Sequence, residues 1–305
     1  MTAPAMTAIA AAPTATPFAW RESGLTPLPW FPFTVAASRS HAAAAALVAQ
    51  RAERAYWYLR RLLGFTPRFR LLVLDAADWP RFAAPSSAPP PFGVAHFTAG
   101  GHLIVGATPA EAWHDVAAHL AAHLPPRALR ELVRVHGRDH AHPPGPDLTA
   151  VADTLIAHEV AHVIAEQAGA TFPRRWLAEA FANYALVAVL AETDPAGLHR
   201  LGTLAEAARA LAPAAIGEDA LDVAGAADPV ASVVAQLTLT RGVYEAYADA
   251  HTRPLVRWFD AAREDRPAPD ADRELGRMLA RDVHAAVGRL AARFGAGRVC
   301  IARAA

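Results

Sequence analysis

The chain contains no lysine at all, so its 29 basic residues are all arginine. Schiff-base chemistry and Ser-Lys catalysis are therefore excluded, and so is a phosphate-binding loop that ends in Lys. There is a single cysteine, Cys300, which rules out an internal disulfide or a multi-cysteine metal site and leaves the redox compartment open. No apolar run approaches the roughly 20 residues needed to span a bilayer. Charge of either sign is not in excess: 29 basic residues offset 29 acidic ones, which gives nothing that would draw the chain to nucleic acid or an anionic membrane. No G-x-G-x-x-G or G-x-S-x-G element is present, so neither a dinucleotide fingerprint nor a nucleophile elbow is in place.

What is present is a globular balance, 53% hydrophobic and 19% charged over 305 residues, enough for one large domain or two modest ones. Residues 1–40 are rich in Ala, Pro and Thr, with Pro27, Pro29 and Pro32 against any helix, and read as a flexible tail. The tail has no basic residue ahead of its Ala-rich stretch, which favours a cytoplasmic chain over an exported one. From His41 to Leu63 the sequence is a continuous helix former, with Leu47, Ala55, Tyr58 and Leu62 at helical spacing. Phe69–Leu74 reads as a buried strand, and Gly93–Phe97 and His102–Val105 as two short strands joined at Gly100-Gly101. Helices are expected at 109–123 and 126–136, then a polar break containing His136, His140 and His142. Beyond it the pattern is helical at 148–168, 173–191, 201–211, 229–250, 253–264 and 270–293, with Asp147 as an N-cap and Gly169 as a stop. The expected class is α+β and predominantly helical: a small α/β part over 41–145, then a helical part over 146–300. A monomer is the default.

The chemistry is concentrated in residues 158–162, His-Glu-Val-Ala-His. On a helix, residues four apart share a face, so His158 and His162 can reach one ion. Glu159 is turned about 100° away, beside the ion, where it can take a proton from a metal-bound water and later return it. The next apolar segment, Trp176-Leu-Ala-Glu-Ala-Phe-Ala-Asn-Tyr184, carries one carboxylate, Glu179. A lone buried Glu is expensive unless paired. Sixteen residues between His162 and Glu179 allow a turn and an antiparallel return. Two His and one Glu around a single Zn2+, with a fourth position open, are the ligand set of a catalytic site. Glu166 continues the spacing but lies about 12 Å from His158 along a straight helix, too far for the same ion. His119 and His123 are also four apart, without an acidic residue where a base would stand.

HEVAH followed by WLAEAFANY resembles the gluzincin metallopeptidases, the thermolysin-like and aminopeptidase-like group, and especially bacterial peptidase-MA-like domains. The likeness is close over 150–190 and weaker over 41–110. It implies a zincin-like fold, His158, His162 and Glu179 as zinc ligands, Glu159 as the base, and an extended peptide or protein substrate paired with an upstream edge strand, for which His102–Val105 is the candidate. Two positions depart from the pattern. Asn183 stands where thermolysin-like proteins place an Asp that orients a ligand imidazole; its side-chain carbonyl can accept the same hydrogen bond. Leu239 falls where aminopeptidase-like proteins carry an oxyanion-stabilising Tyr, leaving Tyr244, Tyr247 and His251 as candidates. The implied activity is peptide-bond hydrolysis; the alternative is a zinc-binding pseudo-peptidase that binds peptide or protein without cleaving it.

Overall fold

The computed structural model describes residues 24–83, 93, 95–98, 101–108, 111–139, 145–211, 221, 229–264 and 272–294. It is mostly helical with a small mixed sheet. Strands β1 (Thr26–Leu28), β2 (Thr34–Ala37), β3 (Arg70–Leu74), β4 (His96–Phe97) and β5 (His102–Gly106) form one sheet in the order β1-β2-β3-β5-β4. The three inner strands β2, β3 and β5 are parallel and the outer two antiparallel to their neighbours. Residues 26–28 and 34–37 thus belong to the sheet and not to a tail. The prolines that exclude a helix there do not exclude a strand at the sheet's margin, and Pro27 sits in the terminal strand β1. A second correction follows from the same order. β5 is an inner strand, and the terminal strand on that side is β4, with Phe97 opposite Leu103 and His96 opposite Ile104.

The run Leu71-Leu-Val-Leu74 is apolar throughout because both faces of β3 are buried. Leu71 and Val73 join the main core, while Leu72 and Leu74 pack with Ala36, Ile104 and Trp79 on the other side. Helix α1 (Ala42–Leu63) crosses between β2 and β3 and lays Ala45, Ala49, Ala52, Ala55, Leu59 and Leu63 on the core. That stripe is built from the small residues, and Leu47 is left 58% exposed. Alanine at the contact lets the helix come close to its neighbour, which leucine would prevent.

After the short α2 (Trp79–Phe82) come α3 (Ala112–His123), α4 (Pro126–His136), a two-stranded ribbon of β6 (Arg138–Asp139) and β7 (Gly145–Pro146), and α5 (Thr149–Ala152). The expected helix over 148–168 is divided. The N-cap of the first piece is Leu148, one residue beyond the expected Asp147, whose carboxylate accepts the Thr149 N–H, and a 3-10 turn at Asp153–Leu155 precedes α6 (Ile156–Gln167). Thr154 donates its hydroxyl to Val151 O at 2.7 Å, a local bond that competes with regular helix. At the far end Gly169 adopts φ +73°, and the bonds Gly169 N–H to Glu166 O and Ala170 N–H to Ala165 O make a Schellman stop.

The chain returns as α7 (Arg175–Thr193), whose residues 180–190 are all buried. It is surrounded by α1, α6, α8 (Pro195–Ala208), α9 (Pro229–Ala250) and α10 (Arg253–Arg263). The segment expected as one helix over 270–293 is a hairpin of α11 (Asp272–Asp282) and α12 (Ala285–Phe294), with His284 Nδ1 accepting the Ala286 N–H at the turn. Among the described residues no helix is long and apolar enough to cross a membrane.

Candidate metal centre

Helix α6 is apolar on three sides, and His158 and His162 share the remaining one, separated by one turn. Their Nε2 atoms lie 2.9 Å apart. α7 brings Glu179 across from them, with Oε2 at 3.3 Å from His158 Nε2 and 3.5 Å from His162 Nε2. Among the described residues these three form the one cluster of His, Cys, Asp or Glu able to hold a metal ion. The spacing bears on that capacity. Ligand atoms about 2.0–2.2 Å from a tetrahedral ion stand about 3.3–3.6 Å from one another. Both carboxylate–imidazole distances fall in or beside that range, and the imidazole pair would have to open by about 0.4 Å. The donors fit a divalent ion.

The surroundings of each ligand are specific. His158 Nδ1 lies 3.1 Å from Asn183 Oδ1, so the amide at 183 holds the imidazole. Asn183, one turn beyond Glu179 on α7, is only 3% exposed. Its Nδ2 donates to Gln236 Oε1 at 2.8 Å, and Gln236 Nε2 donates to Glu179 Oε2 at 2.7 Å. Burial opposes a charge on Glu179, but the two adjacent imidazoles outweigh it and hold the carboxyl well below the usual carboxylate range. Glu159 is pushed up to about 7, first by burial, with Glu179 adding to the rise and His158 opposing it. Two carboxyl groups on adjacent helices are thus driven in opposite directions by their settings.

His158, Glu159, His162 and Glu179 all face a cavity of about 910 Å³. Its walls are mainly apolar, including Phe97, Val105, Trp113, Leu201, Val233 and Leu237. His96 and Phe97 of the terminal strand β4 form part of the rim. At another part of the wall Arg51 of α1 is paired with Asp153 at 2.9 Å.

The three proposed oxyanion donors are not brought to this cavity. None of the five tyrosines lines it, nor does His251. Tyr244 packs on Gly202 of α8, and Tyr247 stacks edge-on against the exposed His251. Burial raises the pKa of Tyr247, and the nearby Glu192 carboxylate adds to the rise; Glu192 is about 20 Å along α7 from Glu179. Trp176 and Tyr184 of α7 are buried in the core, where Trp176 stacks on Phe294 and the Tyr184 hydroxyl donates to His251 O. Glu166 is exposed at the cavity mouth. The rings of His119 and His123 stack 4.1 Å apart, and His136 Nε2 donates to Arg200 O. His140 and His142 lie outside the described residues.

Sequence reasoning missed Gln236. The signal was available, since Gln236 is an uncharged amide set in the apolar run Val233-Val-Ala-Gln-Leu237, as Glu179 is the one carboxylate of its own apolar segment. Scans of the chain against protein-family models, curated proteins and solved structures return no match.

Proposed function

We propose that this chain is a zinc-dependent hydrolase that cleaves peptide bonds in an extended peptide or protein substrate. The observation that carries the reading is the convergence of three ligand atoms at near-tetrahedral spacing, with a carboxyl group at residue 159 beside them in the same cavity. Two imidazoles and one carboxylate leave a position open, and that donor set suits zinc. Zinc, when bound, supplies a Lewis acid for the scissile carbonyl and lowers the pKa of water at the centre. His158, His162 and Glu179 would hold the ion. Glu159, in the same cavity beside the three ligands, is placed both to accept a proton and to pass it to the departing amine. The terminal strand β4, in place of His102–Val105, is the edge beside which an extended backbone would lie, and the apolar walls would take its side chains.

One observation favours a second reading, a zinc-binding module that holds peptide without cleaving it: no tyrosine hydroxyl faces the cavity to stabilise an oxyanion. The two readings separate on Glu159→Gln. Wild type and variant are compared for metal content and for cleavage of a peptide library. The hydrolase reading expects one zinc in each and cleavage by wild type alone. Zinc in both without cleavage by either supports the binding module, and no zinc in freshly purified wild type refutes both.

A further inference from the structure

Three helices meet at the centre, and α9 supplies none of the three ligands. Yet Gln236 of α9, 57 residues from Glu179 and 53 from Asn183 in sequence, touches both. We propose that Gln236 is a positioning residue for the metal centre: its amide fixes the carboxylate of Glu179 on one side and, through Asn183, the ring of His158 on the other. This rests on the metal-centre reading above.

The order of donors and acceptors leaves one arrangement. A carboxylate only accepts, so Gln236 must turn its NH2 towards Glu179, where Nε2 is 2.7 Å from Oε2. Its carbonyl oxygen then faces Asn183, which must answer with its own NH2 at 2.8 Å. Asn183 therefore presents Oδ1 to His158, and the nitrogen 3.1 Å away, Nδ1, must carry the ring proton. Nε2 of His158 is left with its lone pair directed at His162 Nε2 and Glu179 Oε2, where the ion would sit. Reversing either amide would set two acceptors against each other within hydrogen-bond distance. The direction of the chain, from His158 through Asn183 and Gln236 to Glu179, is thus set by the carboxylate at its end. Asn183, being almost wholly buried, has no solvent to replace a lost partner.

This accounts for Asn at position 183. An Asp there would accept from His158 equally well but could not donate to Gln236 Oε1. Gln236 would then have to turn its NH2 to residue 183 and its oxygen to Glu179. Asn183 and Gln236 are suited to each other, and each is a poor partner for the alternative at the other site.

The test uses the full-length protein with Co2+ and Zn2+ alone as probes. Gln236→Met keeps the length of the side chain and removes the amide. Expected are dissociation constants for both ions higher by about 10–100-fold, an altered visible spectrum of the Co2+ form, and loss of the predominant Nδ1–H form of His158 in 15N NMR of the metal-free protein. Thr238→Val, on the same helix with a hydroxyl that bonds only its own backbone at Val234 O, is expected to change none of these. Asn183→Asp should weaken metal binding when Gln236 is present and strengthen it relative to Gln236→Met alone when it is not. An affinity within twofold of wild type together with an unchanged His158 tautomer in Gln236→Met overturns the proposal while leaving the metal centre intact. So does tightening by Asn183→Asp in both backgrounds. Wild type that takes up neither ion overturns the metal centre itself, and this inference with it.

Discussion

Replacing Glu179 by Gln separates the metal from the fold. The substitution keeps the shape of the side chain, and the amide oxygen at 179 can still accept from Gln236 Nε2, so the hydrogen bond at 2.7 Å survives. What is lost is the anionic oxygen at 3.3 and 3.5 Å from the imidazoles. A ligand that binds only the folded state stabilises it by about 4.1 kcal/mol when free ligand is 1,000 times its dissociation constant. With an unfolding entropy of about 2.1 cal/mol/K per residue, 305 residues give about 0.6 kcal/mol/K. Zinc should therefore raise the melting temperature of the wild type by about 6–7 °C over its value in chelator. The Gln variant should show less than about a third of that rise at the same free zinc. In chelator the variant should melt somewhat below the wild type, because the interaction with the two imidazoles that holds the Glu179 carboxyl below its usual range is lost with the charge. Calorimetry at buffered free zinc measures all four values. An equal zinc-induced rise in both proteins would refute the role given to Glu179. A large loss of stability in chelator would show that the carboxylate serves the fold.

Further outcomes test the scaffold that holds the centre. Phe181, two residues beyond Glu179, is fully buried among Phe172, Trp258 and Phe259, so Phe181→Ala should cost about 3–5 kcal/mol in chemical denaturation; a loss below about 1 kcal/mol would mean that α10 does not pack there. In the α11–α12 hairpin a Cβ on Gly288 would meet Gly276 O at 2.6 Å and Ala280 N at 2.9 Å, both backbone atoms. Overpacking of about 1–3 kcal/mol there should exceed the gain of about 1 kcal/mol from better helix propensity, and Gly288→Ala should destabilise more than Gly276→Ala, whose nearest contact is 3.0 Å. Burial holds His136 below its ordinary pKa, partly opposed by its hydrogen bond to Arg200 O. A depressed folded value means that the unfolded chain takes up the proton first. The contribution is therefore complete above about 6.5 and drains away as pH falls below that value towards the folded one. His136→Asn should narrow the fall in melting temperature between about pH 7.5 and 5; a parallel pH profile for the two proteins would exclude this.

The local patterns were legible in the sequence because they depend on neighbours a few residues apart. The helical spacing of His158 and His162, the stop at Gly169, the helices 126–136 and 229–250, and the buried strand ending at Leu74 all follow from periodicity and capping, and the structure places them within a few residues. The pairing of Glu179 with the two histidines was also foreseeable, since a solitary carboxylate in an apolar helix demands a partner and the turn before it is short. What only the tertiary structure decided concerns contacts between distant segments. Which strand ends the sheet depends on pairing order, and no local signal separates His96–Phe97 from His102–Gly106 in that respect. Residues 26–28 and 34–37 form strands because β3 and its neighbours offer them a ladder. Tyr244 and Tyr247 turn away from the cavity because the face α9 presents to it is set by packing against α7 and α8, not by spacing along α9 itself. Gln236 joins the centre for the same reason: a hydrogen bond across more than fifty residues exists only once three helices are packed, and a polar side chain in an apolar helix announces that it needs a partner without saying which.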